Sequence, residues 1–389
     1  MDSPADRIYL DNAATSWPKP EAVYRAVDDY QRRRGAPAGR GAYREALEVQ
    51  SLVARCRKSA ATLFNAPDPR HIVFTFNGTD SLNLALHGTL RPGDHVIASA
   101  LEHNSVLRPL RELEALLGIS STLIPADSAG QVEPNDFRRA LRPNTRLIAL
   151  LHASNVTGAV QPIAEVGRIA REANALFLVD AAQTAGTLPI DVQALGVDLL
   201  ACPGHKGLLG PLGTGLLYIR PGVESQVRSL RQGGTGTVSE TDRQPETLPD
   251  KYEAGNHNMP GLCGLAAGLD FVLEQGVETI HARERSHLRR LREALSDVAG
   301  ITLHGPSPAD AAVGLLSLNI AGYDPQDLAA ILDDSFSIQT RAGLHCAPGA
   351  HRHLGTLETG GTLRLSVGPL TTDSDIERAI GALRTIAGA

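Results

Sequence analysis

The sequence predicts an α/β protein whose large domain is a mainly parallel sheet covered by helices. Three observations lead to this prediction. Short apolar runs alternate with helical patterns between about residues 70 and 220, which is typical of strand–helix–strand units. The 389-residue chain is long enough for more than one domain. Its 38 glycines suit close packing of helices on strands.

Seven strands are predicted in this region, and most of them are followed by a helix. The strands are expected at residues 72–76, 95–98, 121–124, 147–151, 176–179, 199–202 and 215–219. The helices between them are expected at residues 81–90, 105–117, 134–141 and 163–173. Ligands of parallel sheets bind in the crevice at the carboxyl ends of the strands. We therefore expect the functional site at that edge.

The pattern changes after about residue 260, which predicts a smaller α+β domain. A helical stretch is expected at 264–295, broken near Gly276, followed by strands at 314–320 and 362–367 and helices at 325–332 and 372–386. The short strand at residues 8–10 could pair with either domain. We expect a large domain at residues 18–260 and a small domain formed by residues 1–17 and 261–389.

Composition argues against several classes of protein. The net charge of −6 offers no broad cationic surface, so a nucleic acid is not an expected partner. No apolar stretch of about 18 residues is present, and the first ten residues lack the apolar run of a signal peptide. The four cysteines are scattered without zinc-type spacing. These features predict a cytoplasmic protein that has no membrane partner, no disulfide framework and no metal site.

Two residues carry the strongest chemical signal. Asp180 ends an apolar run, and a carboxylate there needs a partner because an isolated buried charge is costly. Gln183 follows it, and Lys206 lies in a glycine-rich segment. Pyridoxal 5′-phosphate (PLP) joins a lysine as a Schiff base, and a buried aspartate keeps its pyridine nitrogen protonated. Either residue alone is more often structural, but together they indicate a PLP site.

Three further residues could contact such a cofactor. Gly78 and Thr79 lie between a strand and a helix, where backbone N–H groups and a hydroxyl can bind phosphate. A threonine helix cap has the same appearance. His103 follows a strand, and its imidazole could stack on a pyridine ring. An ordinary hydrogen-bonded loop histidine is the alternative.

Two residues near the C-terminus suggest substrate chemistry. Cys346 lies among glycines and a proline, near a histidine and an arginine, so its thiol could act as a nucleophile. It could also be incidental, as we assume for Cys56 and Cys263, while Cys202 is expected in the core. Arg364 interrupts a strand pattern, where a guanidinium suits capture of a carboxylate or a structural ion pair.

With these motifs the chain resembles the cysteine desulfurases of the class V aminotransferase group, which have PLP fold type I. The resemblance runs from Tyr9 to Arg364. Its most specific stretches are SNVTG at 154–158, VDAAQ at 179–183, GHK at 204–206 and RAGLHCA at 341–347. The last stretch is similar to desulfurases that carry their cysteine on a short loop, a type that is also selenocysteine lyase-like.

The resemblance implies a role for each candidate residue. Lys206 forms the Schiff base, His103 stacks on the ring, and Cys346 takes the sulfur of L-cysteine as a persulfide while alanine is released. The implied cofactor residues are Gly78, Thr79, His103, Asn155, Asp180, Gln183, His205, Lys206 and Asn256. The implied substrate residues are Asn12, Ala13, Ala14, Asn155, Arg341 and Arg364.

Two positions depart from the family pattern. Many relatives have a hydroxyl residue at position 203, where this chain has Pro203. Relatives commonly have threonine at position 256, where Asn256 would reach the phosphate from the neighbouring subunit of a homodimer. Residues 233–237 could fold near the partner's site or form a plain surface loop.

Other functions stay open at this point. Selenocysteine lyase, another C–S lyase and a class V aminotransferase keep the cofactor but change the reaction. A non-catalytic scaffold for sulfur carriers is a third class, although Lys206, Asp180, His103 and Arg364 are all present. The acceptor is also open, and could be a protein in iron–sulfur cluster assembly, tRNA thiolation or natural-product synthesis.

Overall fold

The computed structural model describes residues 7–39, 41–307 and 311–388. The strands are β1 (Ile8–Tyr9), β2 (Ile72–Thr75), β3 (His95–Ser99), β4 (Ser120–Ile124), β5 (Thr145–Leu151), β6 (Leu176–Asp180), β7 (Leu199–Pro203), β8 (Gly215–Ile219), β9 (Ile301–His304), β10 (Leu315–Ile320), β11 (Ile338–Gln339), β12 (Arg341–Gly343) and β13 (Thr362–Ser366). The α-helices are α1 (Glu21–Asp29), α2 (Arg44–Leu63), α3 (Gly78–Thr89), α4 (Asn104–Leu117), α5 (Pro134–Ala140), α6 (Ile163–Glu172), α7 (Met259–Gln275), α8 (Val277–Leu295), α9 (Pro325–Phe336), α10 (Pro348–Leu354) and α11 (Asp373–Ala387). Every helix in these described ranges is too short or too polar to cross a bilayer.

A sheet of seven strands forms the centre of the described chain, in the order β2-β8-β7-β6-β5-β3-β4. Strands β3 to β7 pair in parallel, and only β8 runs antiparallel to its neighbours β2 and β7. The seven strands are those predicted from the sequence, so the α/β fold with a mainly parallel sheet is confirmed. At the carboxyl edge, Asp180 lies between Leu151 of β5 and Ala201 of β7.

Both faces of this sheet are covered, which explains the continuous apolar runs of its strands. In β6, Phe177 and Val179 point into one core, which also takes side chains from α2, α6 and α7. Leu176 and Leu178 point to the other face, where α3 and α4 pack. The alternation follows from the strand period of two.

The C-terminal part of the chain builds a separate hydrophobic cluster. Strands β12, β13, β10 and β9 form an antiparallel sheet in that order, covered by side chains of α8, α9 and α11. The N-terminal strand β1 pairs in parallel with β11. Ile8 and Leu10 are buried in this cluster, so the first strand belongs with the C-terminal sheets and not with the central one.

The proposed domain boundary near residue 260 falls at the start of a helix that packs on the large core. Leu262, Leu265 and Leu269 of α7 are buried among residues of α2 and the central sheet. Gly276, with φ of +78°, ends α7 and precedes α8, where the sequence predicted a break. The division into domains stays a prediction, and the packing of α7 favours a boundary after this helix.

Helices α3 and α7 begin earlier than the sequence predicted, α7 at Met259 and not at residue 264. Helix α3 starts at Gly78 and not at residue 81, because the Asn77 side chain accepts a hydrogen bond from the Asp80 N–H and caps the helix. The first N–H groups of α3 therefore lie at the carboxyl end of β2, where the site was expected. Helices α1, α2 and α10 and strands β9, β11 and β12 were not predicted.

A buried ion pair joins α2 to the segment that precedes α7. Arg57 donates to both carboxylate oxygens of Glu253, at 2.7 and 2.8 Å, and also to the carbonyl oxygen of Ile72. Glu253 also accepts from the Phe74 N–H at 2.7 Å. The side chains of Arg57 and Glu253 are only 8% and 3% exposed. The pair therefore brings two buried charges together and also provides hydrogen-bond partners for two backbone groups of the edge strand β2.

Replacing Glu253 with glutamine should destabilise the protein strongly. The substitution leaves the Arg57 guanidinium buried without a counter-charge, and such losses are about 3–5 kcal/mol. The free energy of unfolding in urea measures this loss. Glu172→Gln is the control, because it breaks exposed ion pairs with Arg138 and Arg168 and should cost less than about 1 kcal/mol. If the two variants lost the same free energy of unfolding, the buried pair of Arg57 and Glu253 would not have the structural importance assigned to it.

Candidate active site

A cavity of about 100 Å³ lies at the carboxyl edge of the central sheet. All the predicted cofactor residues except Asn256 line it, namely Gly78, Thr79, His103, Asn155, Asp180, Gln183, His205 and Lys206. These side chains come from the ends of β2, β3, β5, β6 and β7 and the turns that follow. The sequence-distant candidates are therefore brought to one place by the order of the strands.

Lys206 and Asp180 face the same cavity from neighbouring strand ends. Burial lowers the pKa of Lys206 to about 8, although the charge of Asp180 opposes this shift. Burial raises the pKa of Asp180, against the opposing effects of a hydrogen bond from the Ala182 N–H and of Lys206. Burial thus disfavours the charged form of each group, which suits an amine that must act as a nucleophile and a carboxylate that would pair with a cation.

The start of α3 forms one corner of the cavity. A Cβ atom at Gly78 would lie 3.1 Å from the Pro203 ring and 3.3 Å from the Pro203 nitrogen, so a larger residue would crowd this corner. The Nδ1 atom of His205 is buried and lacks a hydrogen-bond partner among the described residues. A helix start, a threonine hydroxyl and an unsatisfied imidazole are a donor set that fits a phosphate group. Pro203 contributes shape here but no hydrogen-bond donor.

A serine that the sequence reasoning missed links the phosphate corner to His103. The Ser105 hydroxyl lies 2.7 Å from the Thr79 hydroxyl and 2.9 Å from Nδ1 of His103, which also accepts from the Ser105 N–H. Burial and, to a smaller extent, the charge of Lys206 lower the pKa of His103 to about 4. Nδ1 therefore accepts, and the network places the imidazole proton on Nε2. Ser105 follows His103 by two residues, but its contact with Thr79 spans 26 residues and has no signal in the sequence.

Arg364 and Arg341 lie side by side on paired strands. They are register partners in β13 and β12, and the charges of both act on Lys206. Arg364 is 1% exposed and donates to the Asn155 carbonyl and to an Asp11 carboxylate oxygen, each at 2.9 Å. The sequence did not single out Asp11. Arg364 thus forms the structural ion pair, while its Nε atom lacks a partner within the described ranges.

The predicted substrate residues near the N-terminus border Lys206 from another side. Asn12, Ala13, Gln183 and Lys206 all line a second cavity of about 40 Å³. The Gln183 amide donates to the Ala13 carbonyl at 3.2 Å, and the Ala13 N–H donates to the Ser366 hydroxyl at 2.8 Å. The Ala14 N–H donates to the Asp11 carbonyl, which tightens this turn. These contacts hold residues 12–14 beside Gln183, at the edge of the sheet where Lys206 lies.

Cys346 is the one exposed cysteine of the four, on the loop between β12 and α10. His345 and Cys346 both have left-handed backbone angles, with φ of +47° and +58°. The Asn104 N–H donates to the Cys346 carbonyl at 2.8 Å, and the Asn155 amide donates to the His345 carbonyl at 2.6 Å. The loop is therefore fixed to the rim of the main cavity at two successive residues, while its thiol stays accessible.

The remaining predicted positions lie apart from the cavity. Cys202 is fully buried in the large core, as expected. Cys56 and Cys263 are buried as well. Asn256 is exposed and does not line the cavity, so its contact with a phosphate stays a prediction that requires a neighbouring subunit.

A third missed residue is Glu102, a carboxyl with no exposed surface next to His103 in the sequence. One of its oxygens accepts from the Ser99 hydroxyl at 2.6 Å and from the Leu151 N–H at 2.9 Å. The other oxygen has no partner in the described part of the chain. Burial raises the pKa of Glu102 to about 8. The residue ties β3 to β5 beneath the cavity as a neutral acid.

Comparisons with known proteins find relatives over nearly the whole chain. The family model described as aminotransferase class-V matches residues 8–379. A probable cysteine desulfurase from Methanothermobacter thermautotrophicus is 39% identical over 387 residues, covering 98% of this chain and 95% of the relative. A cysteine desulfurase from Klebsiella pneumoniae subsp. pneumoniae is 32% identical over 387 residues, covering 97% and 93%.

Solved structures show the same likeness. The apo structure of a cysteine desulfurase from Thermococcus onnurineus NA1 has a TM-score of 0.92 and 32% identity, covering 100% of this chain and 99% of that one. The cysteine desulfurase CsdA from Escherichia coli, solved as an S-sulfonic acid, has a TM-score of 0.89 and 30% identity, covering 99% and 95%. These matches bear out the fold class predicted from the sequence.

Replacing Glu102 with glutamine should change how stability depends on pH. In the folded protein the pKa of Glu102 is about 8, above its ordinary value of 4.5. Its contribution to stability is therefore full below pH 4.5 and is lost as the pH rises through 8. Glutamine stays neutral, so Glu102→Gln should gain about 2–4 kcal/mol relative to the wild type between pH 5 and pH 9.

Urea unfolding at pH 5, 7 and 9 measures this difference. The exposed Glu112 of α4 provides the control, because the unfolding free energy of Glu112→Gln should change with pH in parallel with that of the wild type. Parallel curves for Glu102→Gln would show that Glu102 is ionised in the folded protein and that its assigned state is wrong.

Proposed function

Because the chain belongs to the aminotransferase class-V family and, within it, to the cysteine desulfurases, we propose that it converts L-cysteine to L-alanine and keeps the sulfur on Cys346 as a persulfide. The observation that carries this proposal is the exposed Cys346 thiol on a loop fixed to the rim of the cavity that contains Lys206 and Asp180. The relatives are named cysteine desulfurases, and these names do not favour the alternatives, a lyase or an aminotransferase reaction.

The cavity lining suits pyridoxal phosphate as the cofactor. Gly78, Thr79 and His205 would hold the phosphate, and Asp180 would hold a proton on the pyridine nitrogen. Gln183 would bond the phenolic oxygen, and His103 would lie against the ring. When bound, the cofactor supplies an electron sink that weakens the bond between Cβ and sulfur of an attached cysteine.

Lys206 would act as the covalent anchor of the cofactor and as a proton carrier. Its pKa near 8 leaves part of the amine unprotonated at neutral pH, so it can join an aldehyde. When it is not joined to the cofactor, the Lys206 amine would take up and return a proton at the substrate carbons. The neutral His103, with its proton on Nε2, can donate a hydrogen bond without adding charge.

Arg364 would bind the substrate carboxylate. The guanidinium has a free buried Nε–H and is held in place by Asp11 and the Asn155 carbonyl. Arg341 on the paired strand adds a second positive charge. Charge-assisted contacts of this kind hold an amino acid in one orientation, and this fixes the direction of its Cβ–sulfur bond.

Sulfur transfer then involves Cys346. Its deprotonated thiol attacks the substrate sulfur, so that an Sγ–S bond forms while the Cβ–S bond breaks. The electron pair of the broken bond stays on carbon, which takes a proton, and alanine leaves. No external oxidant is needed, because the substrate sulfur becomes the outer sulfur of the persulfide.

The oligomeric state, the compartment and the sulfur acceptor are also part of this proposal. The protein would act as a homodimer in the cytoplasm, with Asn256 reaching the phosphate of the neighbouring subunit. The sulfur would pass to an acceptor such as a protein of iron–sulfur cluster assembly. Exposure of Asn256 supports this arrangement, because nothing in its own subunit engages its side chain in the described structure.

Cys346→Ala should abolish sulfur transfer from L-cysteine while preserving the visible absorption band of the bound cofactor. We expect alanine release with a small thiol to fall by roughly three orders of magnitude, the scale of loss when a catalytic nucleophile is removed. Alanine and sulfide are measured together. Cys263→Ala is the control, because that thiol is buried, lines neither cavity near Lys206, and its loss should leave turnover near the wild-type value. Undiminished turnover in Cys346→Ala would favour another reaction.

Lys206→Ala should lose the covalent link to the cofactor. Borohydride should fix the cofactor to the wild type but not to this variant, and mass spectrometry of the tryptic peptide that contains residue 206 reads the adduct directly. Lys58→Ala, which removes an exposed lysine of α2, should behave as the wild type. An unchanged adduct in Lys206→Ala would mean that a different amine carries the cofactor.

A further inference from the structure

A groove of about 700 Å³ runs beside the Cys346 loop, between α4 and α10. Its floor is apolar, with Leu107, Leu123 and Pro125 among the lining side chains. Its walls carry Arg108 and Arg111 from α4 and Arg352 from α10. It lies outside the cofactor cavity, with which it shares no lining residue.

The groove is tied rigidly to the reactive thiol. Asn104 lines the groove, and its N–H holds the carbonyl of Cys346 at 2.8 Å. Gly349 lies in the first turn of α10 and packs so tightly on the Ala100 carbonyl that any Cβ there would collide with it. A molecule seated in the groove would therefore be held at a fixed position relative to Cys346.

The charge of the groove is opposite to that of the whole chain, whose net charge is −6. Arg108 and Arg352 are exposed and form no ion pair with any described residue, while Arg111 pairs with Glu114 at 2.6 Å. Glu112 is the one acidic side chain in the lining. The next groove along the surface is lined by Asp127, Glu133 and Asp136, among other residues. An acidic ligand is thus favoured beside the arginines and repelled from the neighbouring groove.

We infer that this groove docks an acidic segment of the protein that accepts sulfur from Cys346. The inference rests on the proposed desulfurase function. The apolar floor beside unpaired arginines suits a polypeptide, whose side chains offer both carboxylates and apolar groups. A nucleic acid would need a longer track of cations along its phosphates than three arginines provide.

Docking would place an acceptor cysteine against the persulfide. The acceptor thiolate attacks the outer sulfur, a new S–S bond forms on the acceptor, and the Sγ–S bond on Cys346 breaks. Cys346 leaves as a thiolate and can react with the next substrate. The transfer is balanced without an oxidant or reductant, because one persulfide replaces another.

Two synthetic peptides of equal length test the inference, each with one terminal cysteine. One is rich in aspartate and glutamate, and the other has asparagine and glutamine in their place. Mass spectrometry reads the sulfur gained by each peptide. With wild-type enzyme at low salt, we expect kcat/KM for the acidic peptide to be about tenfold higher or more, and this advantage should shrink at high salt.

The Arg108→Glu/Arg352→Glu double variant should remove the preference for the acidic peptide, lowering its kcat/KM by about tenfold or more. Arg168→Glu/Arg378→Glu is the matched control, because it changes the net charge equally at exposed positions outside the groove. Turnover with a small neutral thiol should be equal in all three proteins.

The outcomes separate the two proposals. Absence of alanine release from wild-type enzyme with the small thiol would defeat the desulfurase function itself. Normal release with the small thiol, but equal use of the two peptides or an unaffected double variant, would overturn the docking groove alone. Inhibition by a short RNA that matches inhibition by a thiol-free acidic peptide would also overturn it in favour of a nucleic acid.

Discussion

The pairing of β6 with β7 is the constraint on which the site depends. Asp180 is the last residue of β6 and pairs with Ala201, so the turn that follows β7 brings Lys206 back to the same edge. Burial pushes both groups toward their neutral forms, and each is the other's main source of opposite charge. The environment is unfavourable for two isolated charges and favourable for a ring that carries a cationic nitrogen and an aldehyde.

The C-terminal sheet supplies the two arginines and the exposed cysteine of the site. Strands β12 and β13 bring Arg341 and Arg364 together, and the loop that leaves β12 carries Cys346. Three contacts between the two parts use the backbone carbonyls of Asn155, His345 and Cys346 as acceptors. The donors are the Arg364 and Asn155 side chains and the Asn104 N–H, so the position of the thiol depends on the Asn155 side chain as well as on main-chain geometry.

The sequence was most informative where local patterns determine structure. The seven central strands and the break at Gly276 were predicted, because buried strands are continuously apolar and a glycine with positive φ ends a helix. Lys206, Asp180 and Cys346 were predicted from motifs. Ser105, Asp11 and Glu102 were not, because each acts through a partner distant in sequence or a hydrogen bond that no pattern encodes. The start of α3 was misplaced for a similar reason, since its cap is a single side-chain contact.

The distribution of the cysteines has a consequence for how the protein meets oxidants and electrophiles. Three thiols are sealed in cores, and Cys346 alone meets solvent. Alkylating agents, peroxides and mixed disulfides would all converge on that single sulfur. The molecule therefore behaves as a monothiol at its surface, and any disulfide between two copies would join them through the residue that we propose receives the sulfur.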